Sequence, residues 1–73
     1  MADAHRLIRG FVEAYDVQTH TADVRPAGHP TALLAGVPVA LHVAPQDLVP
    51  GMRVVVLLFG DVGGVVLAAY ESA

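Results

Sequence analysis

Seventy-three residues, no cysteine, and a net charge of −3 in which all four basic residues are arginine exclude several classes of protein at once. The length allows one small domain, and such a domain buries only about 60% of the surface its unfolded chain exposes. Without cysteine there are no disulfides, thiolate nucleophiles or thiolate metal sites, and an acidic chain without a basic cluster is poorly equipped to bind nucleic acid through its phosphates.

Apolar residues make up 55% of the chain, above the roughly 45–50% of ordinary soluble domains. The longest apolar run, Val54 to Phe59, is far shorter than the roughly 20 residues a membrane helix needs, so no membrane insertion is expected. The opening residues Met1 to Arg6 are polar and carry no apolar core of a secretory signal, which favours a cytoplasmic location. The excess of valine, alanine and leucine must then be buried elsewhere. A second copy of the chain is the simplest place.

Residues 1–5 are expected to fray, as are residues 71–73. From Arg6 to Asp16 the chain alternates, with Ile8, Gly10, Val12 and Ala14 on one face and Leu7, Arg9, Phe11, Glu13 and Tyr15 on the other. Gly10 in mid-segment beside Ile8, Phe11 and Val12 favours a strand over a helix. Asp16 to Thr19 reads as a turn, and His20 to Pro26 alternates again, with Ala22 and Val24 on its inner face. Matching the inner sets pairs Val12 with Val24 and Ala14 with Ala22, leaves residues 17–19 as the loop, and sets Phe11 beside Arg25 with Glu13 diagonal to it.

Pro26 to Pro30 is a loop, because two prolines bracket a glycine. Thr31 to Leu34 reads as a short strand interrupted at Ala35-Gly36, and Val37 to Val43 resumes the extended pattern, with Pro38 confined to an edge or a bulge, so that together they form one bent strand or two short ones. Ala44 to Gly51 is a connection with room for one helical turn over Pro45 to Leu48. Two apolar strands follow, Met52–Phe59 and Val65–Tyr70, joined by the glycine-rich turn Gly60 to Gly64. Five or six short strands with turns about ten residues apart predict an all-β fold, a small five- to six-stranded OB-like barrel, closed or partly open, since closure removes edges that could aggregate.

Candidate chemistry is sparse, and the chain is expected not to be an enzyme. Lysine is absent, the sole serine is Ser72 in the tail, and Thr19, Thr21 and Thr31 have no base nearby in sequence. Glu13 and Asp23 face each other's strands but are expected to be solvated or paired with Arg9 and Arg25. His5, His20, His29 and His42 lack the paired spacing of a zinc site, so neither metal nor cofactor is expected. Gly60-Asp-Val-Gly-Gly64 lacks the Lys-Ser/Thr ending of a phosphate loop and reads as a hairpin turn.

Four pieces of the chain, Gly-Phe-Val-Glu-Ala-Tyr-Asp-Val-Gln-Thr-His-Thr-Ala-Asp-Val (10–24), Leu-Leu-Ala-Gly-Val-Pro-Val-Ala (33–40), Val-Pro-Gly-Met-Arg-Val-Val-Val-Leu-Leu-Phe (49–59) and the strand 65–70, resemble a known kind of domain. They are similar to the small OB-like β-barrels of phage tail-spike and baseplate proteins and related injection machines. The resemblance implies a structural module that trimerises or docks in a ring, has other tail or baseplate-like proteins as partners, carries no catalytic residues, and is virion-associated. The β-helical needle and lysozyme-like parts of such proteins have no counterpart in these 73 residues, so only the barrel is implied.

The leading expectation is therefore a non-enzymatic structural or interaction module that homo-oligomerises. In Met52–Phe59 the set Val54, Val56 and Leu58 would fill the interior, leaving Val55, Leu57 and Phe59 outside. The facing of the last strand is open, since both of its alternating sets are apolar; with Val66 and Tyr70 outward, the oligomer interface is Val55, Leu57, Phe59, Val66 and Tyr70. The alternative is an OB-type module for single-stranded nucleic acid, with Arg9, Phe11, Tyr15 and Arg25 as its binding face.

Overall fold

Valine at alternate positions builds the sheet, because β-branched side chains favour extended backbone and pack well on a pleated surface. The computed structural model describes residues 5–28, 31–59 and 63–71. Its strands are β1 (His5–Asp16), β2 (Thr21–Pro26), β3 (Leu34–Pro38), β4 (Arg53–Phe59) and β5 (Gly64–Glu71), with one 3-10 turn at Pro45–Asp47. They form one sheet in the order β3-β2-β1-β4-β5, and each neighbouring pair is antiparallel.

The inner face carries the core: Val12, Ala22, Val24, Val37, Val39, Val54, Val56 and Val66 are buried, five of these valines almost completely. Val43 and Leu48, from the segment between β3 and β4, join them. That segment is held by Leu48 N–H donating to Pro45 O at 3.0 Å and by Val12 and the 51–52 backbone exchanging bonds of 2.8 and 2.9 Å. Gly10 sits opposite Pro26 in the β1–β2 ladder, where a Cβ would lie 2.7 Å from Val24 Cγ1 and 2.8 Å from Arg25 O.

The two edge strands approach each other without forming a ladder, so the sheet is not closed into a barrel. Val39, just beyond β3, makes a single parallel bridge to Val66 of β5, in which Ala40 N–H donates to Val66 O at 2.9 Å. Before that bridge the edges diverge around a cleft of about 410 Å³ lined by Leu34, Val37, Pro38, Leu58 and Gly64, among others.

Three local expectations are corrected. β3 is one strand, Leu34–Pro38, that runs through Ala35-Gly36, whereas residues 31–33 and 41–43 are not strand. Gly36 adopts a φ of 66°, open to glycine, and donates its N–H to Asp23 Oδ1 at 2.8 Å, so the irregularity is pinned instead of ending the strand. The β1–β2 register holds at Phe11–Arg25 and Val12–Val24 but shifts beyond, pairing Ala14 with Asp23 and Tyr15 with Ala22. Glu13 is the extra residue of a bulge. His5 and Glu71 are the ends of β1 and β5, not tail residues. Residues 1–4, 29–30, 60–62 and 72–73, including the expected turn centre and His29, lie outside the described residues.

Candidate functional site

The outer face of β1, β4 and β5 is built by register. Since Val54 and Val56 are fully buried, strand alternation turns Arg53, Val55, Leu57 and Phe59 outward. Leu7 pairs with Leu57, Arg9 with Val55 and Phe11 with Arg53 on one side of β4. On the other side Leu57 pairs with Val65, Val55 with Ala68 and Arg53 with Glu71. The result is an apolar row, Leu7–Leu57–Val65, beside a mixed row, Arg9–Val55–Ala68, and a charged margin.

Within that face Leu7 is 65% exposed, Phe59 37% and Tyr70 47%, which is high for large apolar and aromatic side chains. Val55, Leu57 and Val65 are half-buried by their neighbours alone. Of the expected interface residues, Val55, Leu57, Phe59 and Tyr70 lie on the surface. Val66 does not: it is fully buried and pairs with Val56. The physical reason is a pair of register shifts in β5, one passing over Leu67 and one over Tyr70. Each bulge resets which residues point inward, so Val66 and Tyr70 end on opposite sides although four residues apart.

The margin is ordered by charge. Arg53 Nη1 donates to Glu71 Oε1 at 3.5 Å while its guanidinium carbon lies 5.8 Å from the Phe11 ring centroid, a cation–π geometry. Arg25 grips both oxygens of Glu13, from Nε at 3.3 Å and from Nη2 at 3.2 Å, and donates from Nη1 to Ala32 O at 3.3 Å. This hydrogen-bonded pairing, reinforced by the opposite charges, holds the Glu13 carboxyl below its ordinary value and the Arg25 guanidinium above its own.

Of the expected nucleic-acid face, the structure brings Arg9, Phe11 and Arg25 to one side and takes Tyr15 away. The bulge at Glu13 turns Tyr15 toward the core. There its hydroxyl hydrogen-bonds His20 Nδ1 at 2.5 Å, and His20 Nε2–H donates to Ala40 O at 3.3 Å. His20 itself holds a φ of 53°, rare for a residue with a side chain. The alternation of Arg6 to Tyr15 carried no sign of this. In place of Tyr15, the aromatic beside Arg9, Phe11 and Arg53 is Tyr70, which borders a small cleft of about 100 Å³ with them.

Of the groups weighed for catalysis or metal binding, Glu13, Asp23 and His20 are engaged by neighbours. Glu13 is paired with Arg25, and Asp23 accepts the Gly36 N–H. Both ring nitrogens of His20 are used, and His42 is exposed on a turn. Among the described residues no three His, Asp or Glu side chains come together. No helix is long and apolar enough to cross a membrane. Comparison with protein-family models, curated proteins and solved structures finds no match to this chain.

Proposed function

We propose that this chain is a non-enzymatic structural module that homo-oligomerises through the outer face of β1, β4 and β5. The observation that carries the reading is the row Leu7–Leu57–Val65, three aliphatic side chains in register on a solvent-facing side. Apolar residues in register on a face rimmed by Arg9, Arg53 and Glu71 have the layout of a protein interface, with an apolar centre and a charged rim. A standard interface of about 800 Å² per partner would take roughly a sixth of the 4585 Å² surface.

The strand order, with β3 and β5 brought together in parallel at Val39–Val66, supports an OB-like barrel as the finer description of the fold. The resemblance of residues 10–24, 33–40 and 49–59 to phage tail-spike and baseplate barrels supports a trimer, or a ring within a tail-like assembly, over a dimer. Light scattering coupled to size exclusion tests it: one oligomer persisting at low micromolar concentration supports the reading, and a stable monomer removes it.

A second reading has its own observation. Arg9, Phe11, Arg53 and Tyr70 gather on the outer face, a stacking platform of the sort that holds single-stranded nucleic acid. Against it, Glu13 and Glu71 neutralise Arg25 and Arg53, and the whole chain is acidic. Anisotropy of a labelled mixed-sequence oligonucleotide at low salt separates the two readings, since only a nucleic-acid module binds it.

A further inference from the structure

β1 outruns β2, and among the described residues the part left over is an unpaired strand edge beside a cavity that two arginines border. The β1–β2 ladder ends at Gly10–Pro26, followed only by Ala27 N–H donating to Arg9 O at 2.9 Å. On its other side β1 stays paired with β4 back to His5–Phe59. Val12 exchanges its bonds on the β4 side, with the 51–52 backbone. The alternation of a strand therefore sends the bonds of Leu7 the opposite way. Among the described residues, no strand stands there to receive the Leu7 N–H and C=O.

Next to that edge lies a cavity of about 490 Å³, lined by Arg6, Ile8, Arg9, Leu34 and Leu58 among others. Arg6 and Arg9 both border it, Arg6 from the inner face of β1 and Arg9 from the outer face, and among the described residues no carboxylate does. Neither Arg6 nor Arg9 forms an ion pair among the described residues, whereas Arg25 and Arg53 both do. Its floor is apolar, since Ile8, Leu34 and Leu58 are partly buried against the core.

We infer that this edge takes an extended acidic peptide segment of another protein, added as a strand along Leu7 with one carboxylate toward Arg6 on the inner face and another toward Arg9 on the outer face. Strand addition supplies main-chain hydrogen bonds from the edge, and the flanking pocket supplies side-chain selection. Charge selects the occupant. A second copy laid antiparallel about Leu7 would set the Arg6 of one chain diagonal to the Arg6 of the other on the same face, like charges with no carboxylate between them among the described residues. A segment rich in Asp or Glu removes that repulsion and gains charge-assisted hydrogen bonds. The edge offers the main chain of Leu7, whose side chain belongs to the outer face, so the two sites adjoin at Leu7 and Arg9.

The test is a titration of the full chain with a synthetic peptide of repeating Glu-Glu-Val, which carries carboxylates on both faces of an added strand, followed by anisotropy and by amide hydrogen exchange. The acidic peptide is expected to bind and to slow exchange of the Leu7 amide about tenfold or more. R6Q and R9Q together, on exposed positions that leave the thermal transition in place, are expected to weaken binding about tenfold or more, whereas the Arg-to-Lys pair recovers part of it. The inference is overturned by no binding at about 1 mM peptide, by equal binding of the Gln-Gln-Val analogue, or by R6Q/R9Q binding as tightly as the parent. Tighter binding of an oligonucleotide of equal charge also overturns it. So does Leu7 protection that grows with protein concentration alone, which is self-pairing.

Discussion

Leu7 stands directly opposite Leu57 in the β1–β4 ladder, on the solvent side of the sheet. Opposed residues on one face of an antiparallel pair have Cβ atoms about 5 Å apart and contact each other, yet Leu7 still exposes 65% of its surface. The contact between the two leucines therefore leaves the row uncovered. Val54 and Val56, one residue to either side of Val55, are fully buried. One strand thus serves two apolar faces, and only the inner one is satisfied within the chain.

This division predicts opposite responses to truncation on β4. Val56→Ala removes fully buried methyl groups and is expected to cost about 2 kcal/mol of unfolding free energy in urea. Leu57→Ala is expected to cost less at protein concentrations where the chain is monomeric, and to lower the apparent stability more as concentration rises.

Gly10→Ala is expected to destabilise by about 1–3 kcal/mol in the same measurement. The new methyl would meet Arg25 O, a backbone atom, at 2.8 Å, and backbone cannot step aside as a side-chain tip does. Nothing in the spacing of residues 6–16 marks this as a contact position; it emerges only when β2 is laid against β1.

Tyr15→Phe deletes the hydroxyl that hydrogen-bonds His20 Nδ1, and is expected to cost about 1 kcal/mol in thermal or urea unfolding. The loss should reach the β1–β2 turn and the segment after β3 together, because His20 also donates to Ala40 O. Faster amide exchange at Ala40 in the variant checks that link.

The Glu13–Arg25 pair predicts a pH dependence. The folded Glu13 carboxyl is held below its unfolded value, first by the Arg25 hydrogen bonds and then by its charge. Its contribution is complete above the unfolded carboxylate value of about 4.3 and is lost as pH falls through the lower folded value. The thermal midpoint difference between the parent and Glu13→Gln should shrink over that acidic window and stay level above it. Both groups are solvent-exposed, so the difference is small and fades with added salt.

How much of this was legible in the sequence differs from strand to strand. Strict alternation in residues 6–12 and 21–26 fixes Val12 against Val24 and Phe11 against Arg25, as observed. The bulge at Glu13 was not legible, because no glycine or proline marks it and an extra residue leaves the local pattern unchanged. In β4, alternation within an all-apolar run names the inner set Val54 and Val56 once one face must be full. In β5 every residue from Val65 to Tyr70 is apolar or aromatic, so alternation carries no information there. The two shifts that bury Val66 and expose Tyr70 are set by the pairing with β4. The same limit governs the site: Arg9, Phe11 and Arg25 were readable as one face, whereas Tyr70 joins it only through the sheet order.

Sedimentation velocity on the parent chain and on Leu57→Glu, over a range of concentrations, tests the central claim most directly. A charge at the centre of the outer face leaves the buried valines untouched, so the variant should keep its β circular dichroism. The account predicts an oligomer for the parent and a folded monomer for Leu57→Glu, with the midpoint of association shifted at least about tenfold. A parent chain that sediments as a monomer throughout, or an oligomer that Leu57→Glu leaves intact, would contradict it.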